Sequence, residues 1–225
     1  MNFGTLKARV AGYLNRDDLT SQIPDFITIA QRKIERGDPI EAAGLVINPA
    51  GNYNCMRTEA TGTLTSASPY LAFPTRYKDI INFWVIDDNN QYSLVKDSKA
   101  HAIELYKDLT GAAGTIDRPK IFSTDWVNSR FILRPTPDTT YTYYLEYYNY
   151  LAELSLDADT NWWTSNCWEI LLYGALLQAE PYLVNDARAI VWAGMLKNAL
   201  DGLAIAENRE IFNGSPQSIK GNLPV

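Results

Sequence analysis

The composition of this 225-residue chain, with 46% apolar and 20% charged residues, is that of a soluble globular protein. A chain of this length buries an ample core without disulfides, as one large domain or two small ones. The net charge of −6 and the pI near 4.9 argue against a nucleic-acid-binding domain, because neutralising phosphates requires clustered lysines and arginines.

The cysteines and the apolar stretches indicate the cellular compartment. Cys55 and Cys167 are the only cysteines, and no CxxC or CxxH spacing surrounds either of them. We interpret them as reduced thiols in a reducing compartment. The first residues lack the pattern of a signal peptide, and the most apolar stretch, Ile170 to Val184, is too short to span a bilayer. We therefore expect the protein to be made and used in the cytosol.

Helical spacing of apolar residues predicts two short helices at the start of the chain. The first spans residues 3–15. The second has Thr20 or Ser21 as its N-cap and Pro24 in its first turn, and it ends at Gly37. Neither helix is expected to be stable alone, since isolated helices of this length are marginal in water.

The period of the apolar pattern then changes from that of helices to that of strands. Residues 38–53 are predicted to be irregular. Residues 57–65 and 70–73 predict a short hairpin. A nearly continuous apolar run at 79–87 predicts a strand that is covered on both faces and turns back into residues 92–95.

Residues 119–150 carry the strongest β signal and the densest aromatic cluster of the chain. Residues 120–126 and 130–133 flank a turn at Asn128 and Ser129, and a second turn at 134–138 leads into a strand at 140–150. We predict that these three strands form an antiparallel meander.

The last of these strands has tyrosines on both of its faces. Its alternation places Tyr141, Tyr143, Leu145 and Tyr147 on one face and Thr142, Tyr144, Glu146, Tyr148 and Tyr150 on the other. The second face is either buried against another domain, another subunit or a ligand, or it is an ordinary sheet surface with hydrated hydroxyls.

The final third of the chain is predicted to be helical. Residues 168–183 are apolar on both sides of a helix, which must therefore be buried nearly all round, and a further helix runs from 186 to about 209. In the segment Phe212 to Val225 only Phe212, Ile219 and Leu223 are large and apolar, so it cannot build a core. It is either disordered or extended on a partner.

We predict an α+β fold from this order of elements. The N- and C-terminal helices, residues 1–52 and 151–211, form an α-helical bundle. Residues 53–150 form a β-rich antiparallel insertion domain, and residues 212–225 form an extended C-terminal tail.

Catalytic signatures are scarce in the sequence. The only histidine, His101, lies in a predicted helix from Ser98 to about Leu109 and is interpreted as a surface residue. The segment 87–90 fits a hairpin turn better than a calcium loop, and neither a P-loop nor a dinucleotide-binding motif is present. We predict no catalytic, cofactor or metal site, and the many aromatic residues favour a component of an assembly.

Five segments carry a resemblance to a known family. They read NFGTLKARVAGYLNR, IPDFITIAQRKIER, SPYLAFPTRYKDIINFWV, RFILRPTPDTTYTYYLEYY and WWTSNCWEILLYGALLQAEPYL. In their order and spacing they cover nearly the whole chain up to about Arg209. The chain resembles the head-to-tail adaptor, or connector, proteins of tailed bacteriophages.

The resemblance implies a structural, non-enzymatic protein without a cofactor. Such adaptors form a ring, commonly of twelve copies, beneath the portal vertex in the neck of the virion. The ring lengthens the DNA channel, contacts the portal protein and docks tail or nozzle proteins. DNA passes through without sequence-specific binding, no membrane is involved, and assembly takes place in the host cytoplasm.

Six residues are candidates for contacts in such an assembly. They are Tyr144, Tyr148, Tyr150, Phe212, Ile219 and Leu223. The tail that contains the last three is expected to reach along the portal or a neighbouring adaptor.

Two other functions remain open at this point. The second interpretation is another tail-completion or tail tube component. A glycan-binding or hydrolytic β module is the third interpretation, with the tyrosines as stacking platforms. It would need carboxylates beside Tyr144, Tyr148 and Tyr150, and Glu146 is the only one in that strand.

Overall fold

The structure, a computed structural model, describes residues 1–42, 44–106, 115–183 and 187–212. The described residues divide into two compact units. The helical unit contains those within 1–55 and 152–225, and the sandwich unit contains those within 56–151. That the predicted bundle, insertion and tail are separate domains with the boundaries given above remains a prediction.

Among the described residues, helices at the start and at the end of the chain flank a run of strands that includes one short helix, as the α+β prediction requires. The α-helices are α1 (Phe3–Leu14), α2 (Ile23–Arg36), α3 (Lys99–Leu105), α4 (Trp162–Asn166), α5 (Trp168–Leu183) and α6 (Ala189–Phe212). The strands are β1 (Ile40–Ala42), β2 (Leu45–Ile47), β3 (Arg57–Leu64), β4 (Tyr70–Ala72), β5 (Tyr77–Asp87), β6 (Asn90–Ser93), β7 (Val95–Lys96), β8 (Ile121–Asp125), β9 (Arg130–Arg134) and β10 (Tyr141–Asn149). The predicted fold class is confirmed.

The first two helices form where the sequence predicts them. The side chain of Asn2 caps α1, and Gly37, with φ of 78°, ends α2 in the left-handed conformation that glycine adopts without strain. The predicted cap at Thr20 or Ser21 is wrong. The chain enters α2 through a turn, in which the N–H groups of Gln22 and Ile23 both donate to the carbonyl of Leu19.

A small hairpin follows in the region that was predicted to be irregular. Strands β1 and β2 pair antiparallel, with Ile40 opposite Ile47 and both side chains buried. Strands of three residues are too short to produce a recognisable alternation, so the pattern missed them.

The helical unit is built around α5. Buried side chains project from every side of this helix, as its sequence predicts, and α1, α2, α4 and α6 all contact it. Helix α2 approaches α5 closely where Gly174 of α5 faces Ala30. No side chain larger than hydrogen fits between the two helices at that point.

The sandwich unit consists of two four-stranded sheets. The strand order is β3-β10-β5-β6 in the first sheet and β4-β9-β8-β7 in the second, with every pair antiparallel except β7 and β8. Both sheets contribute rings to one core, where Phe83 of the first sheet lies 5.3 Å from Phe122 and 5.6 Å from Phe131 of the second, between ring centroids.

Two predicted strand pairings are wrong. Strands β8 and β9 form the expected hairpin, but β10 pairs with β3 and β5 in the other sheet, so the three strands are not a meander. Likewise, β3 and β4 do not form a hairpin, because they belong to different sheets. Turn residues show where a strand ends, whereas the choice of partner is decided by which apolar faces share a core.

Replacing Gly174 by alanine tests the packing of α5 on α2. A Cβ at this position would lie 2.9 Å from the Cβ of Ala30, too close for van der Waals contact. We expect Gly174→Ala to lower the free energy of unfolding by about 1–3 kcal/mol, measured by chemical denaturation.

Gly12 provides the matched control for this substitution. It also lies in a helix, but a Cβ there would meet nothing within 4 Å. Gly12→Ala should be neutral or stabilise by up to about 1 kcal/mol. Equal effects of the two substitutions would contradict the close approach of α2 and α5.

Candidate assembly surfaces

The tyrosines of β10 divide between the two faces of the first sheet as the sequence predicts. Tyr141, Leu145 and Tyr147 are buried in the sandwich core, while Tyr144 and Tyr148 are half-buried on the opposite side. We call that side, with its cross-strand neighbours Arg57, Glu59, Asn82 and Trp84, the outer tyrosine face.

A pair of carboxylates lies at the centre of the outer tyrosine face. Glu146 of β10 is directly opposite Glu59 of β3, and like charges in this arrangement destabilise a sheet. The guanidinium of Arg57 and the amide of Asn82, at 2.8 Å, both bind the Glu146 carboxylate. These two donors lower the pKa of Glu146, so the carboxylate is a stable anion.

The aromatic rings of this face are fixed by their neighbours. Tyr144 lies beside Trp84 of β5, with ring centroids 5.3 Å apart and planes at 45°. A hydrogen bond to Glu59 raises the pKa of the Tyr144 hydroxyl. Tyr148 lies opposite Arg57 on one side and Asp79 on the other. The result is an ordered surface on which rings alternate with paired charges.

Only two of the six predicted contact residues are brought together in the described residues. Tyr150 follows the end of β10, where its N–H donates to the carbonyl of Arg76 at 2.8 Å. Phe212 is the last residue of α6. Ile219 and Leu223 lie outside the described residues. Their roles, like those of Tyr144 and Tyr148, remain predictions.

A second candidate surface lies on α6. Trp192, Leu196 and Leu200 are buried on the side of α6 that packs in the helical unit. The other side carries Ile190, Val191, Met195 and Ile205, each between 41% and 54% exposed. We call this side the α6 apolar face. Exposed apolar groups clustered along one helix are typical of a contact surface.

The buried side of α6 is held by a specific polar contact. The indole N–H of Trp192 donates to the buried carboxylate of Glu180 at 2.8 Å, and the Tyr13 ring lies 5.9 Å from the Trp192 ring. Arg188 forms an ion pair with Glu180 at 3.2 Å. These contacts fix which side of α6 faces outward.

By length and composition, the segment Ala189–Arg209 is also apolar enough to cross a membrane. Core helices of soluble proteins pass the same test. Here, however, only 28% of the most apolar window is buried.

The hairpin tip between β8 and β9 is a third apolar surface. Val127 is 92% exposed and Trp126 is 60% exposed in the short 3-10 turn that joins the two strands. The Trp126 ring rests on Phe73 and Tyr77, with centroid distances of 5.1 and 5.6 Å. The indole is thus supported from behind while Val127 projects into solvent.

The two cysteines are free thiols, and the single histidine is a surface residue. Cys55 and Cys167 are free and half-buried, and burial raises the pKa of Cys55 to about 12, which keeps its thiol protonated. His101 is exposed on α3 and bonded to Asp97 at 2.5 Å. In the part of the chain that the structure describes, no three His, Cys, Asp or Glu side chains are grouped as metal ligands.

Comparison with known proteins identifies the family. Residues 1–219 match the sequence model described as SU10 adaptor protein. The chain belongs to the SU10 adaptor protein family. This match confirms the resemblance on which the sequence prediction rests and supports a bacteriophage adaptor, a structural component of the virion. No curated protein matches the chain.

The residues around Glu146 were not predicted as part of a surface. Trp84 lies in a continuous apolar run, where alternation cannot separate the two faces of a strand. Arg57, Glu59 and Asn82 reach Glu146 only through the register of β3 and β5 with β10. The register in which strands pair cannot be read from a single sequence.

The Arg57–Glu146 pair predicts a dependence of stability on pH. Because the folded-state pKa of Glu146 lies below its ordinary value of 4.5, the pair stabilises the fold above that pH. This contribution is lost as the pH falls through the lowered pKa. We expect Arg57→Met to reduce the free energy of unfolding at pH 7, and the difference from the unmodified chain to shrink at pH 3.

Chemical denaturation at both pH values measures this difference. Glu146→Gln serves as the control, since the Arg57→Met substitution in that background should have an effect that does not change with pH through Glu146. A difference between the unmodified chain and Arg57→Met that stays constant from pH 7 to pH 3 would show that the charge of Glu146 does not stabilise the fold through Arg57.

Proposed function

We propose that this chain is the structural, non-enzymatic head-to-tail adaptor of a tailed phage. About twelve copies form a ring beneath the portal vertex, extend the DNA channel and dock tail or nozzle proteins. The observation that carries the proposal is the match of residues 1–219 to the adaptor family. The protein is then located at the head–tail junction, assembled there in the host cytoplasm, and it needs neither a cofactor nor a membrane.

Exposed apolar surfaces on both units support assembly into a ring. Neighbouring subunits of a ring meet through two different surfaces of the same chain, so each subunit must present two complementary patches. The α6 apolar face lies on the helical unit and the Trp126–Val127 tip lies on the sandwich unit. In a monomer both apolar surfaces would remain in contact with water, which costs free energy.

The net charge supports a channel through which DNA slides. Each copy carries −6, so twelve copies would carry roughly −72 (12 × −6). A negative wall repels phosphates and gives the DNA no binding site at which to stop. Sequence-specific recognition would require the opposite charge.

The outer tyrosine face supports protein contacts better than glycoside hydrolysis. A catalytic acid of a glycosidase needs a raised pKa, whereas Arg57 and Asn82 lower the pKa of Glu146. The rings of Tyr144 and Trp84 meet at 45° and so do not offer one flat stacking platform. We assign Tyr144, Tyr148 and Tyr150 to contacts with a neighbouring subunit or a tail protein.

The segment from Phe212 onward is assigned to contacts with the portal or a neighbouring adaptor. Phe212, Ile219 and Leu223 are its large apolar residues and are the side chains that would be buried there. Their spacing suits an extended segment that contributes a few anchors to a larger interface.

Sedimentation of the purified chain with purified portal rings tests this function. We expect a discrete complex that contains one adaptor for each portal subunit. The absence of a complex with portal rings that are shown to be intact would reject the adaptor role and favour a tail component or a glycan-binding module.

The tyrosines are tested by adding tail proteins to this sedimentation experiment and comparing the double variant Tyr144→Ser and Tyr148→Ser with the unmodified chain. The double variant should weaken contacts between adaptors or with tail proteins while the thermal midpoint falls little, since both rings are only half-buried. Tyr147→Ser, on the buried face of the same strand, should instead cost about 3–5 kcal/mol of stability. A stability loss of equal size in the double variant would mean that these rings belong to the core.

A further inference from the structure

Strand β3 forms a long edge of the sandwich unit, which we call the β3 edge. It is the first strand in the order β3-β10-β5-β6 and pairs with β10 through all eight of its residues. Every second residue of an edge strand directs its N–H and C=O groups away from the partner strand. Within the described ranges, no hydrogen bond joins the backbone of residues 58–64 to an element other than β10. The outward groups of β3 are therefore available for pairing.

The β3 edge differs from the other edges of the two four-stranded sheets, which are short. Strands β6, β4 and β7 have four, three and two residues, and so short an edge limits pairing with a further strand. The eight described residues of β3 include neither proline nor lysine, and they pair with β10 without a bulge. Because the usual features that protect an edge are missing from β3, this edge can accept another strand.

Small side chains on the core side of β3 leave room beside an added strand. Thr58, Ala60 and Gly62 are half-buried there, and Ala60 and Tyr143 of β10 pack at the rim of the sandwich core. The Tyr143 ring lies so close to Gly62 that a Cβ on Gly62 would be 2.9 Å from the tyrosine oxygen. The rim is therefore apolar and only partly covered. Branched apolar side chains of an added strand would complete its burial.

The solvent side of β3 favours a positive charge in the added strand. Glu59 is bound by the Tyr144 hydroxyl and lies directly opposite Glu146, while Arg57 binds Glu146. Two carboxylates thus share one guanidinium. A residue opposite Glu59 in an added strand would lie about 5 Å away between Cβ atoms, where a lysine or arginine would complete the charge pairing.

A second copy of the chain does not supply this chemistry. If two β3 strands paired antiparallel, residues of the same face would lie opposite each other. In the two registers that pair most of the strand, Glu59 would face Thr61 or Thr63 of the second copy, neither of which is charged. The register that brings Arg57 of the second copy opposite Glu59 pairs only residues 57–59. The short edges of the other strands cannot pair with the whole of β3.

We propose that the β3 edge binds an extended segment of a different protein, which adds a fifth strand to the first sheet. This segment carries branched apolar residues beside Ala60 and Gly62 and a lysine or arginine opposite Glu59. Main-chain hydrogen bonds provide the affinity, and the two rows of side chains select the segment. The site goes beyond the proposed adaptor function and does not depend on it.

Amide hydrogen exchange of the full chain, measured by NMR, tests the β3 edge. In the free chain, alternate residues of β3 should exchange rapidly and those between them slowly. The probe is an acetylated eight-residue peptide of alternating valine and threonine, with one central threonine replaced by lysine. At about 1 mM it should slow the rapid set about tenfold. The same peptide with every amide N-methylated lacks the donors and should have no effect.

Exchanging the charges tests the chemistry of the partner. In fluorescence anisotropy with the dye-labelled peptide, Glu59→Lys should weaken binding about tenfold, because attraction to the lysine becomes repulsion. A peptide with glutamate in place of the lysine should restore the binding. Glu104→Lys on α3 makes the same change in net charge, but α3 packs on the second sheet, so this control variant should bind like the unmodified chain.

Each outcome decides the proposal. Rapid exchange of alternate β3 residues, slowing by the lysine peptide and restoration by the charge exchange support it. Slow exchange of all β3 residues in the free chain, or slowing that grows with chain concentration, would overturn it, because the edge would be covered by the chain itself or by a second copy. The absence of slowing at about 1 mM, or equal affinity of Glu59→Lys and the unmodified chain, would also overturn it. No portal or tail protein is present, so a failure here leaves the adaptor function standing.

Discussion

The burial of α5 on every side is the constraint on which the helical unit depends. An α-helix without a polar face must be enclosed by other elements. Helices α1, α2, α4 and α6 each pack one side against α5. Two buried carboxylates fix the enclosing helices. Glu35 of α2 accepts from Gln31 at 2.8 Å and from the Trp163 indole at 3.0 Å, and Glu180 accepts from Trp192 at 2.8 Å. Because α6 is held in this way on one side only, its remaining apolar residues face outward.

Strand β10 has the corresponding place in the sandwich unit. It lies between β3 and β5, and its inner residues Leu145 and Tyr147 fill the core that both sheets share. An internal strand also exposes a second face, and here that face is occupied by Tyr144, Tyr148 and a pair of carboxylates, of which Glu146 is bound by Arg57. In each unit, therefore, one element whose apolar residues must be buried determines where the candidate contact surface lies. That element is α5 in the helical unit and β10 in the sandwich unit. This arrangement fits a family of adaptors, in which surfaces rather than a catalytic pocket are expected to carry the function.

Sequence reasoning was successful where a pattern is local and failed where it depends on distant pairing. The all-round apolarity of residues 168–183 predicted a buried helix, and the alternation of 140–150 predicted which tyrosines are inside. The partners of β3, β4 and β10 were wrong, since turns at 66–69 and 134–138 do not encode which strand comes next in a sheet. For the same reason Arg57 and Asn82 were not associated with Glu146. The exposed apolar side of α6 was also missed, because recognising the buried stripe of a helix does not show which contacts its opposite side makes.

We propose that this chain joins portal to tail as one ring in each virion. The most direct test of this proposal is the number of copies in purified virions, counted by quantitative mass spectrometry against the portal protein. We expect one copy for each portal subunit. A copy number many times higher, as for a subunit that repeats along a tail tube, or the absence of the chain from infectious particles would contradict it.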